Sequence, residues 1–375
     1  MKPENLLNHP FLLARFGGAY TVEEIGDGNL NYVFLARAQG HAPVVVKHAP
    51  PYIKCLGEGY ALTQTRLDYE IEAMREFNRL APGLSPELYG VDAQNHLAFM
   101  EYVEGCEVLR AAHLSGKRFG FLADRLGGFA AATLFGTSNL ALSSMEKSEL
   151  ERRFDNVAMR SISEDYIFTF PFISHPTNAH NPETSELSRA VMADTAFLEG
   201  VAQMKYAFST RREALLHGDL HTGSVLVGAD RLAVIDAEFA FVGPMGFDTG
   251  AVVANLLLAY AGAKAQGQNG DWALDLAAGF WRGFERHFLA LWGAPSSLDK
   301  AGFMARIFAD TLGFAGCKTA RRILGAAGVA EIRGIQNDAI RARAETLSIR
   351  MATALVKQRN KISDAEQLIE MIKSL

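Results

Sequence analysis

Two acidic segments lie close together in the second half of the chain and contain residue types that can hold a metal ion and accept a proton. His-Gly-Asp at 217–219 precedes a short apolar run, and Asp-Ala-Glu at 236–238 follows a second one. If the two runs pair as a hairpin, both acidic segments lie at the same end of it. Neighbouring carboxylates are costly unless a cation lies among them, and Mg²⁺ takes oxygen ligands and bridges to phosphates. The spacing therefore predicts a magnesium site formed by Asp236 and Glu238 near Asp219.

The first hundred residues read mostly as strands, and one of them ends in a lysine. Alternating apolar residues predict a strand over 30–37, and a second apolar strand ends in Lys47. A helix over 68–80 follows, and Glu70 lies on its apolar stripe whereas Glu72 lies on the opposite side. A lysine at a strand end usually reaches water. Paired with a helix glutamate, it is typical of a kinase nucleotide site, and Glu70 is the partner we expect.

Helical patterns dominate after residue 122. Aromatic and apolar residues recur at helical spacing from Trp272 to Leu291, and Asp271 is a plausible N-cap of that helix. One β segment, 224–241, interrupts the helical part. The apolar stretch 250–263 is about 14 residues long, whereas a membrane span needs roughly 20. We therefore expect a buried helix there and no membrane partner.

These patterns predict an α+β fold with two lobes. We expect residues 1–104 to form a small antiparallel-sheet lobe and residues 105–375 to form a larger helical lobe that contains both acidic segments.

Composition narrows the class of protein further. The 375 residues include 37 Lys and Arg against 42 Asp and Glu, a net charge of −5, which argues against a nucleic-acid partner. The three cysteines, Cys55, Cys106 and Cys317, form no C-x-x-C pair. Neither a disulfide framework nor a zinc ribbon is supported, and reduced thiols indicate the cytoplasm.

Two other patterns in the chain could indicate different chemistry. His217 and His221 lie four apart, as in some zinc sites, but Gly218 and Gly223 disfavour the helix that such a pair needs. Asp-Thr-Gly at 248–250 matches an aspartic protease triplet, yet that chemistry needs two carboxylates and the chain has one copy. No Walker A sequence occurs, which removes the P-loop kinases.

Longer blocks of sequence resemble a known group of small-molecule kinases. His217–Gly218–Asp219 resembles the catalytic loop of the aminoglycoside phosphotransferase and choline kinase group, and the full set of blocks is similar to the S-methyl-5-thioribose kinase family within it. The blocks occur in the family's order and span residues 26 to 325: Gly26–Phe34, His217–Val225, Ile235–Phe241, Gly243–Asp248, and Gly313–Cys317 leading to Arg321 and Arg322.

The resemblance implies a two-lobed protein-kinase-like fold, ATP and Mg²⁺ as cofactors, and transfer of phosphate to the anomeric hydroxyl of S-methyl-5-thioribose in methionine salvage. It also implies a homodimer. Asp219 would be the catalytic residue, and Asp248 a structural one that binds the amides of its loop. The remaining roles are ATP binding by Asn29, Lys47, Glu70, Glu101 and Val103, sugar binding by Asp219, Arg321 and Arg322, metal binding by Asp236 and Glu238, and an indirect metal contact by Ser224.

The chain departs from the family pattern at several positions. Ala237 replaces the proline of Asp-Pro-Glu, and the segment 57–63 has Tyr60 and Ala61 where the family has Trp-Pro. Met-Glu-Tyr-Val at 100–103 replaces Met-Glu-Asp-Leu. These differences leave two alternatives: a kinase for another small alcohol, such as 5-deoxyribose, a related pentose or an aminoglycoside, and a non-catalytic nucleotide-binding module.

Overall fold

A computed structural model describes residues 1–26, 30–179, 181–293 and 297–375. Its first part is built around one antiparallel sheet with the strand order β1-β2-β3-β5-β4. The strands are β1 (Thr21–Glu24), β2 (Tyr32–Arg37), β3 (Val44–His48), β4 (Leu88–Asp92) and β5 (Leu97–Glu101). The predicted strands at 30–37 and 44–47 are both present.

The two faces of this sheet pack against different helices, and this decides where Lys47 points. Val44 and Val46 of β3 join a cluster on one face with residues of α1 (Pro10–Phe16). Val45 packs on the other face, against α2 (Arg66–Leu80). Because successive strand side chains alternate between faces, Lys47 lies on the same side as Val45 and meets α2.

The remainder is mostly helical and shares one large apolar core. Its helices are α3 (Leu109–Leu114), α4 (Leu122–Gly136), α5 (Ser144–Arg153), α6 (Val157–Glu164), α7 (Ser185–Ala193), α8 (Thr195–Thr210), α9 (Gly246–Ala265), α10 (Asp271–Leu291), α11 (Lys300–Leu324), α12 (Ala330–Arg333), α13 (Asp338–Gln358) and α14 (Ala365–Lys373). The two-lobed α+β class predicted from the sequence is confirmed. The boundary between residues 104 and 105 stays a prediction.

Short strands frame the loop that contains Asp219. They are β6 (Glu107–Val108), β7 (Ala214–Leu216), β8 (Val225–Val227), β9 (Leu232–Val234) and β10 (Phe241–Gly243). β8 and β9 pair antiparallel as the predicted hairpin, whereas β10 pairs with β7. β7 ends just before the first acidic segment, and β10 begins shortly after the second one. The two acidic segments therefore lie between two small sheets.

The structure corrects the predicted start of α10 and confirms the predicted burial of α9. Asp271 is the first residue of α10 and Gly270 occupies the N-cap position, so the predicted capping role of Asp271 is wrong. An acidic residue in the first turn still interacts favourably with the helix dipole. The apolar stretch 250–263 lies within α9, which is buried along most of its length as predicted. None of the helices in the described ranges is both long and apolar enough to cross a membrane.

Candidate active site

Lys47 connects the small sheet to the second acidic segment. Its ammonium lies 2.7 Å from Glu70 Oε1 and 2.6 Å from Asp236 Oδ1. The predicted pairing with Glu70 is confirmed, and Glu72 instead binds Arg75 and Arg153. Burial alone would lower the pKa of Lys47, but Asp236 and Glu70 raise it above its usual value. Lys47 is therefore a permanent cation.

Asp236 has an unusual backbone conformation that turns the chain at this point. Its φ of 65° lies in the left-handed region, which Asp tolerates better than most residues. The next three residues form a single 3-10 turn, and Asn156 Nδ2 holds that turn by donating to the Glu238 and Ala240 carbonyls at 3.0 and 2.9 Å. Burial would raise the pKa of Asp236, but Lys47 lowers it. An ionised carboxylate, 44% exposed, is thus presented beside Lys47.

The loop that contains Asp219 is held from below by Asp248, near the start of α9. Asp248 accepts hydrogen bonds from the amides of His217 at 2.6 Å and Gly218 at 3.0 Å, as predicted. Gly218 has a φ of +85°, and a Cβ there would lie 2.1 Å from the Phe239 carbonyl oxygen. Asp248 is therefore a structural acid in a helix, and the protease alternative has no support from its position.

Both histidines of the loop act as braces. His217 Nδ1 accepts from the Asp219 amide at 3.3 Å while Nε2 donates to the Ile235 carbonyl at 2.8 Å. His221 Nδ1 accepts from the Gly223 amide at 3.0 Å, so its proton is on Nε2, 3.4 Å from Asp219 Oδ2. Burial lowers the pKa of His221 to about 4 although Asp219 opposes the shift, so the ring is neutral at pH 7. His221 orients Asp219 and was not predicted.

Three cationic side chains of α11 lie on the Asp219 side of the site. Arg321 Nη2 is 3.9 Å from Asp219 Oδ1, and Arg322 Nη1 donates to the Ala327 carbonyl at 3.1 Å. Lys318, one helical turn earlier, is 4% exposed, and its Nζ lies 3.6 Å from the centroid of the Phe247 ring. Within the described part of the chain, Lys318 Nζ and Arg321 Nε have no hydrogen-bond partner.

These cations change the chemistry of Asp219. Burial would raise its pKa, but electrostatic interaction with His221, Lys318 and Arg321 holds the pKa well below the usual range. Burial lowers the pKa of Lys318 to about 7, with Asp219 opposing. Asp219 therefore stays ionised under all ordinary conditions.

Glu238, the second acid of the segment, is held by two residues of the small lobe. Asn31 Nδ2 donates to Glu238 Oε2, and Arg66 Nε lies 3.7 Å from the same oxygen. Burial raises the pKa of Glu238, and Lys47 opposes this shift. Among the described residues no hydrogen bond or ion pair reaches Oε1 of Glu238 or Oδ2 of Asp236.

This donor set fits Mg²⁺. Each of the two acids is held through one oxygen and leaves the other for a ligand. Mg²⁺ is usually bound by one or two carboxylates together with phosphate oxygens and waters. The described ranges contain no group of three or more His, Cys, Asp or Glu side chains that would form an all-protein site.

The predicted adenine contacts lie at the end of β5. The Glu101 amide donates to the Glu87 carbonyl at 2.9 Å, and its carboxylate pairs with Arg231. A nucleotide contact at this residue would therefore use its carbonyl oxygen. Val103 follows and is buried. Asn29 lies outside the described residues.

Ser224 uses its hydroxyl within the loop. Its Oγ lies 3.0 Å from the Asp219 carbonyl and 3.1 Å from His221 Nδ1. These contacts tie the end of the loop back to its start. The contact with metal that we expected for Ser224 stays a prediction.

Three features together define a kinase-like phosphotransferase. Lys47 of a strand pairs with Glu70 of a helix, Asp219 of the loop is ionised, and the carboxylate of Asp236 follows β9. The fold is similar to that of a solved choline kinase from Cryptosporidium parvum, with a TM-score of 0.50 at 10% identity over 94% of this chain and 91% of that one. A model of the phosphotransferase enzyme family matches residues 21–292.

Curated relatives narrow the family. Methylthioribose kinase 1 of Oryza sativa is 34% identical over 97% of this chain and 92% of its own length. A methylthioribose kinase of Escherichia coli is 34% identical over 94% of this chain and 91% of its own length. The chain belongs to the phosphotransferase enzyme family and, within it, to the branch of the methylthioribose kinases.

Sequence patterns alone missed four residues of this site. Lys318 precedes Arg321 and Arg322 by one helical turn, and that spacing could have identified it. His221 could have been found from its place two residues after Asp219. Asn31 lies in the block Gly26–Phe34 that carries the resemblance, but no role was predicted for it. Arg66 gave no signal, because an arginine at a helix start is usually solvated.

Proposed function

We propose that this protein transfers the γ-phosphate of ATP to the anomeric hydroxyl of S-methyl-5-thioribose, giving the 1-phosphate for methionine salvage. The observation that carries the proposal is the position of ionised Asp219 between the neutral His221 ring and Arg321. The names of the relatives, which match along nearly the whole chain, support the sugar as the acceptor.

Asp219 orients the acceptor hydroxyl in this mechanism. Its low pKa makes it a weak base, so it cannot remove the proton before the phosphoryl group begins to move. Phosphoryl transfer passes through a loose transition state in most analyses, and positioning contributes more than early deprotonation. Asp219 therefore holds the hydroxyl in line and accepts its proton late.

The residues around Lys47 hold the nucleotide. Lys47, positioned by Glu70, binds the phosphates, and the backbone at Glu101 and Val103 contacts adenine. Asn29 is an ATP-binding residue on the strength of the family resemblance alone. Asp236 and Glu238 would hold Mg²⁺ through their outward oxygens. The bound ion would neutralise charge on the phosphates.

Arg321 and Arg322 bind the sugar and the phosphoryl group as it arrives. A guanidinium offers a planar fork of donors that suits both hydroxyl and phosphate oxygens. Three cations around one carboxylate would repel the polycationic aminoglycosides, which disfavours that alternative. The homodimer implied by the resemblance and the cytoplasmic location indicated by the cysteines stay predictions.

The test is ADP release by the purified protein with Mg²⁺ and ATP. S-methyl-5-thioribose is compared with 5-deoxyribose, ribose and an aminoglycoside, and the product is located by phosphorus NMR. We expect the highest kcat/KM with the thiosugar and a 1-phosphate product. Faster turnover of another acceptor would contradict the proposed substrate, and no turnover with any of them would favour the non-catalytic module.

A further inference from the structure

Arg66 is a charged residue in an unusual place, because its side chain is fully buried at the start of α2. A buried guanidinium is costly unless its donors are satisfied. Here each of the three guanidinium nitrogens has a hydrogen-bond acceptor. Of the five acceptor atoms, four are backbone carbonyl oxygens. Nη1 reaches Leu62 and Thr63, Nη2 reaches Leu30 at 3.2 Å and Pro50 at 2.8 Å, and Nε reaches Asn31 Oδ1 at 3.0 Å.

These contacts join three segments that are apart in sequence. Pro50 lies at one end and Leu62 and Thr63 lie at the other end of a segment that we call the 50–63 loop. This loop contains Tyr60, which differs from the family pattern. Backbone hydrogen bonds order the loop itself, among them 2.9 Å from the Ile53 amide to the Tyr60 carbonyl and 3.1 Å from the Leu62 amide to the Pro51 carbonyl. Arg66 adds side-chain hydrogen bonds to both ends of the loop at its base.

Asn31 continues the connection to the other lobe. Its Oδ1 accepts from Arg66 Nε, while its Nδ2 donates to Glu238 Oε2. An amide is the side chain that can accept on one side and donate on the other. Both small-lobe residues therefore approach one oxygen of Glu238 and leave the other for a ligand.

We infer that Arg66 and Asn31 are positioning residues that link the order of the 50–63 loop to the orientation of Glu238 toward a bound cation. Arg66 contacts the loop directly, whereas Asn31 contacts Glu238 directly and reaches the loop only through one of the five hydrogen bonds of Arg66. The inference rests on the proposed role of Glu238 as a magnesium ligand. It predicts that the two residues have separable effects.

The experiment measures two quantities in the full-length protein without sugar. The first is the gain in ATP affinity on adding Mg²⁺, from calorimetric titrations with Mg²⁺ and with EDTA. The second is the rate of tryptic cleavage after Lys54, a residue of the 50–63 loop, followed by mass spectrometry. Neither measurement requires turnover.

Arg66→Lys keeps the charge but loses the fork, so both quantities should change. The magnesium-dependent gain should fall by about 10-fold or more, the usual effect of removing support from a metal ligand. Cleavage after Lys54 should accelerate, because the loop opens more often. Asn31→Ala should reduce the magnesium-dependent gain and leave cleavage after Lys54 unchanged.

Matched controls separate the possible failures. Arg75→Lys, on the exposed side of α2, should change neither quantity. If Glu238→Gln and Asp236→Asn keep the full magnesium-dependent gain, the proposed metal site is wrong. If those two variants lose it while folded Asn31→Ala and Arg66→Lys keep it, the inferred link is wrong. Should Arg66→Lys fail to fold, Asn31→Ala decides alone.

Discussion

Buried charges are paired differently on the two sides of this site, the nucleotide side around Lys47 and the acceptor side around Asp219. On the nucleotide side Lys47 is paired twice, with Glu70 and Asp236. On the acceptor side Lys318 Nζ and Arg321 Nε have no hydrogen-bond partner in the described part of the chain. One side is rich in carboxylates held by one oxygen, and the other is rich in cations around a single carboxylate.

This difference indicates what each side lacks before its ligands arrive. Three carboxylates around Lys47 and Arg66 leave a negative excess, which suits a divalent cation. Three cations around Asp219 leave a positive excess, which suits the phosphoryl group as it crosses. Unpaired buried charge is expensive, and its retention at one place is typical of a functional site.

The largest effect should come from the one carboxylate on the acceptor side. Asp219→Asn should lower kcat by at least about 100-fold, since it removes the group that orients the hydroxyl and accepts its proton. ATP affinity, measured by calorimetry, should be nearly unchanged because Lys47 and the β5 end are intact. Near-normal turnover would show that Asp219 does not act in catalysis.

On the nucleotide side, Asp236→Asn should abolish most of the magnesium-dependent gain in ATP affinity. It removes the charge of the exposed carboxylate, and Glu238 alone cannot replace it. Asp230→Asn, at the exposed turn between β8 and β9, is the control. An unchanged gain in the Asp236 variant would mean that the negative excess serves another purpose.

The two arginines allow a finer comparison within the acceptor side. Arg321 faces Asp219, whereas one N–H group of Arg322 donates a hydrogen bond to a backbone carbonyl. Arg321→Lys should cost about 1.5–3 kcal/mol in kcat/KM for the sugar, the range for hydrogen bonds to charged groups, and Arg322→Lys should cost less. The KM for ATP should barely change in either variant. A loss of ATP affinity with intact sugar kinetics would assign the pair to the nucleotide side.

The smallest expected effect is on the free energy of unfolding. One substitution should stabilise the fold while it lowers activity. Lys318→Met should weaken catalysis and yet raise the free energy of unfolding by about 1 kcal/mol, because a buried charge without a hydrogen bond is removed. The Phe247 ring already stabilises that charge in part, which keeps the gain small.

The stability gain should depend on pH. Burial lowers the pKa of Lys318 from 10.5 to about 7 in the folded protein, with Asp219 opposing. The unfolded chain therefore binds this proton more tightly, so the destabilisation is complete below pH 7 and disappears as the pH rises toward 10.5. Urea titrations of both proteins at several pH values check this. A difference that grows with pH would contradict the assignment.

Several features of the site followed from local patterns. The helical stripe selected Glu70 over Glu72 as the partner that the kinase pattern requires for Lys47, and the hairpin between the acidic segments is present as β8 and β9. These predictions succeeded because strand and helix periods decide which side chains share a face. The predicted β segment 224–241 ends at the first residue of β10, and the pairing of β10 with β7 depends on a partner distant in sequence.

The sequence by itself determined the fold class through its strand and helix patterns, and its motif residues, through their resemblance to a kinase family, indicated the reaction class. Only the tertiary structure decided that Arg66 is buried, that Asn31 bridges it to Glu238, and that Lys318 lacks a partner while it faces Phe247. A charged side chain has no local signal for burial, since its environment depends on which distant carbonyls, carboxylates and rings the packed chain brings to it.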